Sequence, residues 1–158
     1  MGEVKFSDES LEKFEKIVAR YPKKDGAMLP VLYLAQREFG YLSTEAIEYV
    51  AKIMELPAAR VYGVVTFYTM LNMKPIGRHH IQVCRTLPCA LAGAERIAAW
   101  IKKRLGIGAG ETTADGRFTL SEVECLASCG SGPMMQVNDD YYENLTEERV
   151  EKILNNLK

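Results

Sequence analysis

The chain has four cysteines, Cys84, Cys89, Cys125 and Cys129, and all of them fall in its second half. They form two pairs, with four residues between Cys84 and Cys89 and three between Cys125 and Cys129. A reversible thioredoxin-type dithiol uses two intervening residues, which neither pair has. Structural zinc most often takes its thiolates from pairs with two intervening residues, although up to four occurs. A two-iron cluster has two metal centres, each needing two thiolates, and two separated loops can supply them. The four-then-two spacing of plant-type ferredoxins is not reproduced. Spacing alone therefore puts a cluster first and leaves zinc open.

The surrounding residues suit redox chemistry. In CLASCGSGP, Ala127, Ser128, Gly130, Ser131 and Gly132 are small, so backbone N–H groups can approach sulfur and stabilise a more negative, reduced state. In CRTLPC, Pro88 opens a helix whose positive end would face an anionic group, and Arg85 follows the first cysteine directly. Each feature is expected to raise a reduction potential. His79 and His80 are expected to be turn or surface residues ahead of a strand, not ligands. Met134 and Met135 are expected to pack in a strand. GIGAGE, residues 106–111, follows a helix instead of a strand, so it is no dinucleotide or P-loop fingerprint, and the chain is not expected to bind NADH by itself. No serine–histidine–acid set or carboxylate pair stands out, and no catalytic residue is assigned.

The elements around the cysteines explain how the two pairs would meet. HHIQVC, residues 79–84, alternates like a strand, with Ile81 and Val83 on one face. Pro88 to Leu105 is expected to be one helix with Leu91, Ala94, Ile97, Ala98, Ile101 and Leu105 inward and Gly106 as its stop. RFTLSEVEC holds a second strand in which Phe118 and Leu120 share a parity that Val123 does not, which predicts a bulge or change of face. With 35 residues between the pairs, the helix between these strands makes a crossover and the strands parallel. Cys84 and Cys125 then lie at the same sheet edge. MMQVN and DDYYEN suggest a hairpin turning near residues 138–140, and Thr146 caps a last helix with Val150, Ile153, Leu154 and Leu157 inward.

The first half reads as short helices. Ser7 caps one with the stripe Leu11, Phe14, Ile17, Val18 and Tyr21, closed by Pro22 and a polar turn at residues 23–26. A second spans about Leu29 to Phe39 before Gly40. Ser43 caps a third with Ile47, Val50, Ala51 and Met54 inward, and Pro57 opens a short fourth toward Tyr62. The turn signal Pro75–Gly77 places a boundary there, giving a helical domain at 1–77 and a second domain at 78–158.

Composition narrows the function classes. The 158 residues include 20 Lys and Arg against 21 Asp and Glu, and a net charge of −1 offers no field for nucleic acid. No apolar run reaches the roughly 18–20 residues of a membrane span, so direct membrane insertion is not expected. MGEVKFSDES lacks the apolar core of a signal peptide, and a cytosolic chain is expected. In that reducing compartment a metal or cluster site outranks structural disulfides.

The stretches GVVTFYTM, IQVCRTLPC, LGIGAGETTADGRFTL and VECLASCGSGPMMQVNDDYYENLT, with the N-terminal helical pattern, closely resemble the thioredoxin-like 2Fe-2S subunits of NADH:quinone oxidoreductase, respiratory complex I, whose bacterial form is called the E subunit. The resemblance covers nearly the whole chain. It implies an α/β fold in which a thioredoxin-like 2Fe-2S ferredoxin domain follows an N-terminal helical bundle. It implies that Cys84, Cys89, Cys125 and Cys129 ligate one 2Fe-2S cluster that exchanges single electrons with FMN. The FMN would sit on a partner flavoprotein, the F subunit of complex I, which also binds NADH and a 4Fe-4S cluster. The chain would be an electron carrier without NADH oxidation of its own, placed with other peripheral-arm subunits on the cytoplasmic side of the membrane. Equivalent subunits serve NAD-dependent hydrogenases and formate dehydrogenases, and a zinc-stabilised interaction domain is the reading from a different class. Two positions depart from the family: Ala127, where glycine is common, and Ala114, where proline is frequent. If that glycine serves a positive φ, Ala127 costs on the order of 1 kcal/mol or shifts a peptide beside a cysteine sulfur.

Overall fold

The computed structural model describes residues 4–157. The chain divides between Pro75 and Ile76 into two compact units.

In the first unit, helix α1 (Asp8–Val18) begins where the Ser7 side chain accepts the Ser10 N–H. Helix α2 (Met28–Phe39) stops at Gly40, whose φ of 81° ends the helical path. Helix α3 (Thr44–Met54) is capped by Ser43 in the same way as α1, and α4 (Ala58–Phe67) follows Pro57. Val31, Leu32, Ala35, Ile47, Val50, Met54, Val61 and Val65 converge in one buried core. Phe6 closes its open end, stacking on Phe39 at 5.5 Å and meeting Tyr49 edge-on at 5.3 Å.

Three local expectations need correcting. Helix α1 ends at Val18, short of Pro22, because Arg20 and Tyr21 tighten onto the Ile17 and Val18 carbonyls; Tyr21 leaves the stripe and is exposed. The polar turn after it is a 3-10 helix, Lys24–Ala27. Helix α4 passes Tyr62 and reaches Phe67, since Val61, Val64 and Val65 recur at helical spacing against the core and that burial outweighs their weak helix propensity.

The second unit is built on a mixed sheet in the order β2-β1-β3-β4. Strand β1 (His79–Cys84) runs parallel to β2 (Phe118–Val123), with His79 opposite Phe118 and Cys84 opposite Val123. Strand β3 (Met135–Val137) is antiparallel to β1, and β4 (Asp140–Tyr142) antiparallel to β3. Ile81, Val83, Phe118, Leu120, Met135 and Val137 share a face by register. That face packs on Ile97 and Ile101 of α6 (Ala94–Leu105) and on Val150 and Leu154 of α7 (Glu147–Asn156). Val123 lies on the other face with no bulge, because the parallel ladder is continuous from end to end. Seven α-helices and one four-stranded sheet among the described residues make the chain α/β. No helix there is long and apolar enough to cross a membrane.

The expected helix from Pro88 to Leu105 is two helices, α5 (Leu87–Leu91) and α6, broken at Gly93 with φ 99°. The break resets the helical phase, so Leu91, expected inward, is 81% exposed. The histidines also move: both belong to β1, and His80 is buried with its ring nitrogen 2.8 Å from the Ser121 hydroxyl. Burial holds its imidazole below the usual value.

Gly77 enters this sheet through its N–H, which donates to Thr119 Oγ1 at 2.6 Å. A Cβ there would stand 2.8 Å from the backbone carbon of Phe118 and 2.9 Å from its nitrogen. Backbone cannot swing aside as a side chain can. Gly77→Ala is therefore expected to lower unfolding stability by about 1–3 kcal/mol in a urea titration.

Candidate metal centre

The parallel pairing of β1 and β2 brings the two cysteine loops to one sheet edge, as their strand-end positions require. Cys84 is the last residue of β1, and Cys125 follows the end of β2 by two residues. The Arg85 N–H donates to the Val123 carbonyl at 3.0 Å, tying the loops together where the strands finish. Helix α5 then turns Cys89 back beside Cys84. These two thiols are buried with Ala94 and Met134, and Leu126 packs against them. Cys125 and Cys129 are exposed, on a loop that ends in a 3-10 turn at Cys129–Ser131.

All four cysteines are free thiols. The Cys125 and Cys129 sulfurs are 3.7 Å apart. For a metal–sulfur bond of about 2.3 Å, two ligands on one tetrahedral metal stand about 3.8 Å apart, so this pair needs little movement to bind. Cys84 and Cys89 share one buried cluster, and Cys84 lies close enough to Cys125 and Cys129 for its charge to act on both. Thr86 lies at the same edge, with its hydroxyl 3.4 Å from the Cys84 sulfur. Among the described residues no three His, Cys, Asp or Glu side chains gather around a single ion position. The thiols come as one buried pair and one exposed pair, and a two-iron cluster needs two thiolates at each metal.

Electrostatics divide each pair into one thiol that ionises readily and one that does not. Burial pushes the Cys89 thiol up to about 11, with the neighbouring Cys84 adding to the effect. Burial also raises Cys84, but the Thr86 hydroxyl, the Leu126 and Thr86 N–H groups and Cys89 together bring it below the usual value. Cys125 is lowered by the Ala127 N–H first and then by the Cys129 thiol and Thr86, while Cys129 is raised by Cys125. Cys84 and Cys125, the two thiols held below their usual value, stand where the two paired strands end.

Several expectations about the surroundings change. Arg85 does not bring free positive charge to the site: its Nε and Nη2 donate to Glu124 Oε1 at 2.9 and 2.6 Å, and both side chains are exposed. The Ser128 and Ser131 hydroxyls donate to Glu143 Oε1. The small-residue loop does deliver one N–H, from Ala127 to the Cys125 sulfur at 3.3 Å. Thr86, Tyr141 and Glu143 shape the site, and the sequence reading missed them. Tyr141 lies in β4 and Glu143 immediately follows it, so the hairpin brings both to the cysteine loop.

Ala127 has φ 63°, a left-handed conformation that costs a residue with a Cβ about 1 kcal/mol. Ala127→Gly is expected to stabilise the chain by up to about 1 kcal/mol in urea unfolding, the gain being reduced by the freer unfolded state of glycine. A net loss of stability would show that the surrounding loop, not φ, sets the cost.

The sequence model of the thioredoxin-like [2Fe-2S] ferredoxin family matches residues 14–158. The chain belongs to that family. Among curated relatives, this family member is 51% identical to the E subunit of NADH-quinone oxidoreductase of Rickettsia felis over 152 residues, covering 94% of this chain and 91% of that one. It is 46% identical to the mitochondrial NADH dehydrogenase [ubiquinone] flavoprotein 2 of Dictyostelium discoideum, covering 97% of this chain and 63% of the relative. Among solved structures, it superposes on a chain of an NAD+-reducing [NiFe]-hydrogenase with a TM-score of 0.71 at 19% identity, covering 82% of this chain and 22% of that one. That last likeness is one of fold. The thioredoxin-like architecture expected for the second half is thus borne out, and the donor set described above is chemically matched to a 2Fe-2S group.

Proposed function

We propose that this chain is the electron-transfer subunit of NADH-quinone oxidoreductase, in which Cys84, Cys89, Cys125 and Cys129 would hold one 2Fe-2S cluster that supplies one-electron exchange with FMN on a partner flavoprotein. The observation that carries this reading is the pairwise gathering of four free thiols at one sheet edge, in a chain about half identical to the Rickettsia E subunit over nearly its full length. Cys84 and Cys89 anchor the site in the dry interior, and Cys125 and Cys129 present it at the surface, where a partner can approach. Leu87 and Leu91, on the same short helix α5 as Cys89, are both strongly exposed.

The partner is read as the flavoprotein of complex I, its F subunit, carrying FMN, NADH and a 4Fe-4S cluster, in a peripheral arm on the cytoplasmic side of the membrane. The helical domain would help to hold it. Phe67 at the end of α4 is 76% exposed, with Tyr62 and Met70 also open, an apolar surface of the kind that marks protein contacts. Respiratory, hydrogenase and formate modules share this chemistry. The respiratory reading rests on the named relatives, since the hydrogenase likeness concerns fold.

Anaerobic purification followed by visible absorption and electron paramagnetic resonance after reduction tests the cluster. The expected result is a coloured protein with two irons per chain and a signal from one reduced cluster. A colourless chain with stoichiometric zinc, and no signal after anaerobic reconstitution, overturns it. Co-purification with the cognate flavoprotein tests the partner separately.

A further inference from the structure

The second cysteine pair sits on a loop with little apolar burial, so polar contacts must hold its shape. Those contacts come from β4 and the residues just after it. Tyr141, in β4, and Glu143, just after it, both bond the cysteine loop, while Tyr142 between them packs toward the core of the sheet. The Tyr141 hydroxyl donates to the Leu126 carbonyl at 2.9 Å. Glu143 Oε1 accepts from the Ser128 hydroxyl and, at 2.7 Å, from the Ser131 hydroxyl, gripping the loop on both sides of Cys129. The backbone continues the grip, with the Asn144 N–H donating to the Ser131 carbonyl at 2.7 Å and the Leu145 N–H to the Pro133 carbonyl at 2.9 Å.

The Leu126 carbonyl and the Ala127 N–H belong to one peptide group. Tyr141 therefore donates to the oxygen of the same peptide whose N–H donates to the Cys125 sulfur at 3.3 Å. Donation to the oxygen polarises the N–H and fixes the peptide plane, strengthening the bond to sulfur. Glu143 acts with the opposite sign. Its carboxyl is held below its usual value by the Ser128 hydroxyl first and then by Ser131, so it is charged at neutral pH and places a negative charge one residue from Cys129.

We propose that β4 and its extension form a clasp on the second cysteine pair, in which Tyr141 and Glu143 are positioning residues that tune the reduction potential in opposite directions. The proposal rests on the reading of Cys125 and Cys129 as cluster ligands. Hydrogen bonds to sulfur favour the more negative reduced state, so Tyr141 raises the potential through Ala127. A carboxylate nearby disfavours added negative charge, so Glu143 lowers it.

Redox titration of the full-length, cluster-loaded chain, monitored by electron paramagnetic resonance, tests the pair. Tyr141→Phe is expected to shift the one-electron equilibrium about threefold toward the oxidised state. Glu143→Gln keeps an accepting oxygen but removes the charge, and is expected to shift it about three- to tenfold toward the reduced state, the upper end being 59 mV. Glu143→Asp restores the charge and should return the potential toward that of the wild type. Iron release to a chelator should quicken in Tyr141→Phe and more so in Glu143→Ala. Shifts of the same sign in Tyr141→Phe and Glu143→Gln, or shifts under twofold in both, overturn the clasp while leaving the cluster reading intact. A wild-type chain without a cluster signal overturns that reading and the clasp with it.

Discussion

Cys84→Ala or Cys89→Ala is expected to reduce the iron content of the purified chain at least about tenfold, whereas Cys129→Ser is expected to keep a cluster with an altered paramagnetic spectrum. The four positions differ in access to water. Cys84 and Cys89 are each 1% exposed and packed by Ala94, Met134 and Leu126, so no solvent oxygen can complete the iron when the thiolate is lost. Loss of an outer-shell partner alone costs metal sites 10–100-fold, and loss of a buried ligand should cost no less. Cys125 and Cys129 are exposed, and a serine oxygen or water can reach the vacated position there. Iron and sulfide analysis with spectra of the three variants checks this. Full iron content in Cys84→Ala would remove Cys84 from the ligand set, and equal losses at all three positions would remove burial as the cause of the difference.

The two pairs could be seen in the sequence because a strand–helix–strand crossover is a long-range rule written in local patterns. Apolar alternation in HHIQVC and RFTLSEVEC fixed two strands, the helix between them made the strands parallel, and parallel strands end together. The capping serines Ser7 and Ser43 were legible for the same reason, since a cap acts within three residues of itself. What depended on tertiary contact was not. Leu91 satisfied the periodicity of a continuous helix, but a single positive-φ glycine at Gly93 rotated the second segment and left Leu91 outside. GVVTF carries β-branched residues that argue weakly against helix, and only the core they bury makes them helical in α4.

The shell of the candidate site was legible only in part. Small residues after Cys125 correctly signalled a backbone N–H at sulfur, and the residue that departs from the family pattern, Ala127, is the one that supplies it from a left-handed conformation. Charge was misjudged at Arg85 because its neutralising partner, Glu124, lies on the other strand end and only the fold brings them together. Tyr141 and Glu143 look like ordinary surface residues of a hairpin until β4 lies beside the cysteine loop.

Met134→Ala is expected to destabilise the chain by about 2–5 kcal/mol while moving the reduction potential of the loaded protein less than about twofold in equilibrium constant. The side chain is fully buried against Cys84, Cys89 and Ala94, so its removal opens a cavity that the surrounding β-strand and helices can close only partly. Total stabilities of domains are commonly about 5–15 kcal/mol, which makes this a large fraction of the whole. The cavity is lined by carbon and sulfur and offers water few partners, so it should stay dry and leave the surroundings of the sulfurs nearly unchanged. The main-chain contact of Met134 also survives truncation, since its carbonyl accepts the Cys84 N–H at 3.2 Å. Met134→Leu conserves volume and should recover all but about 1.5 kcal/mol. Urea unfolding and redox titration on the same preparations check both halves. Glu143→Gln should do the reverse, shifting potential with little loss of stability, because its side chain touches the loop from the half-exposed side. If Met134→Ala moved the potential as far as Glu143→Gln does, water would be reaching the buried sulfurs, and the interior pair would be tuned by packing as strongly as the surface pair is tuned by charge.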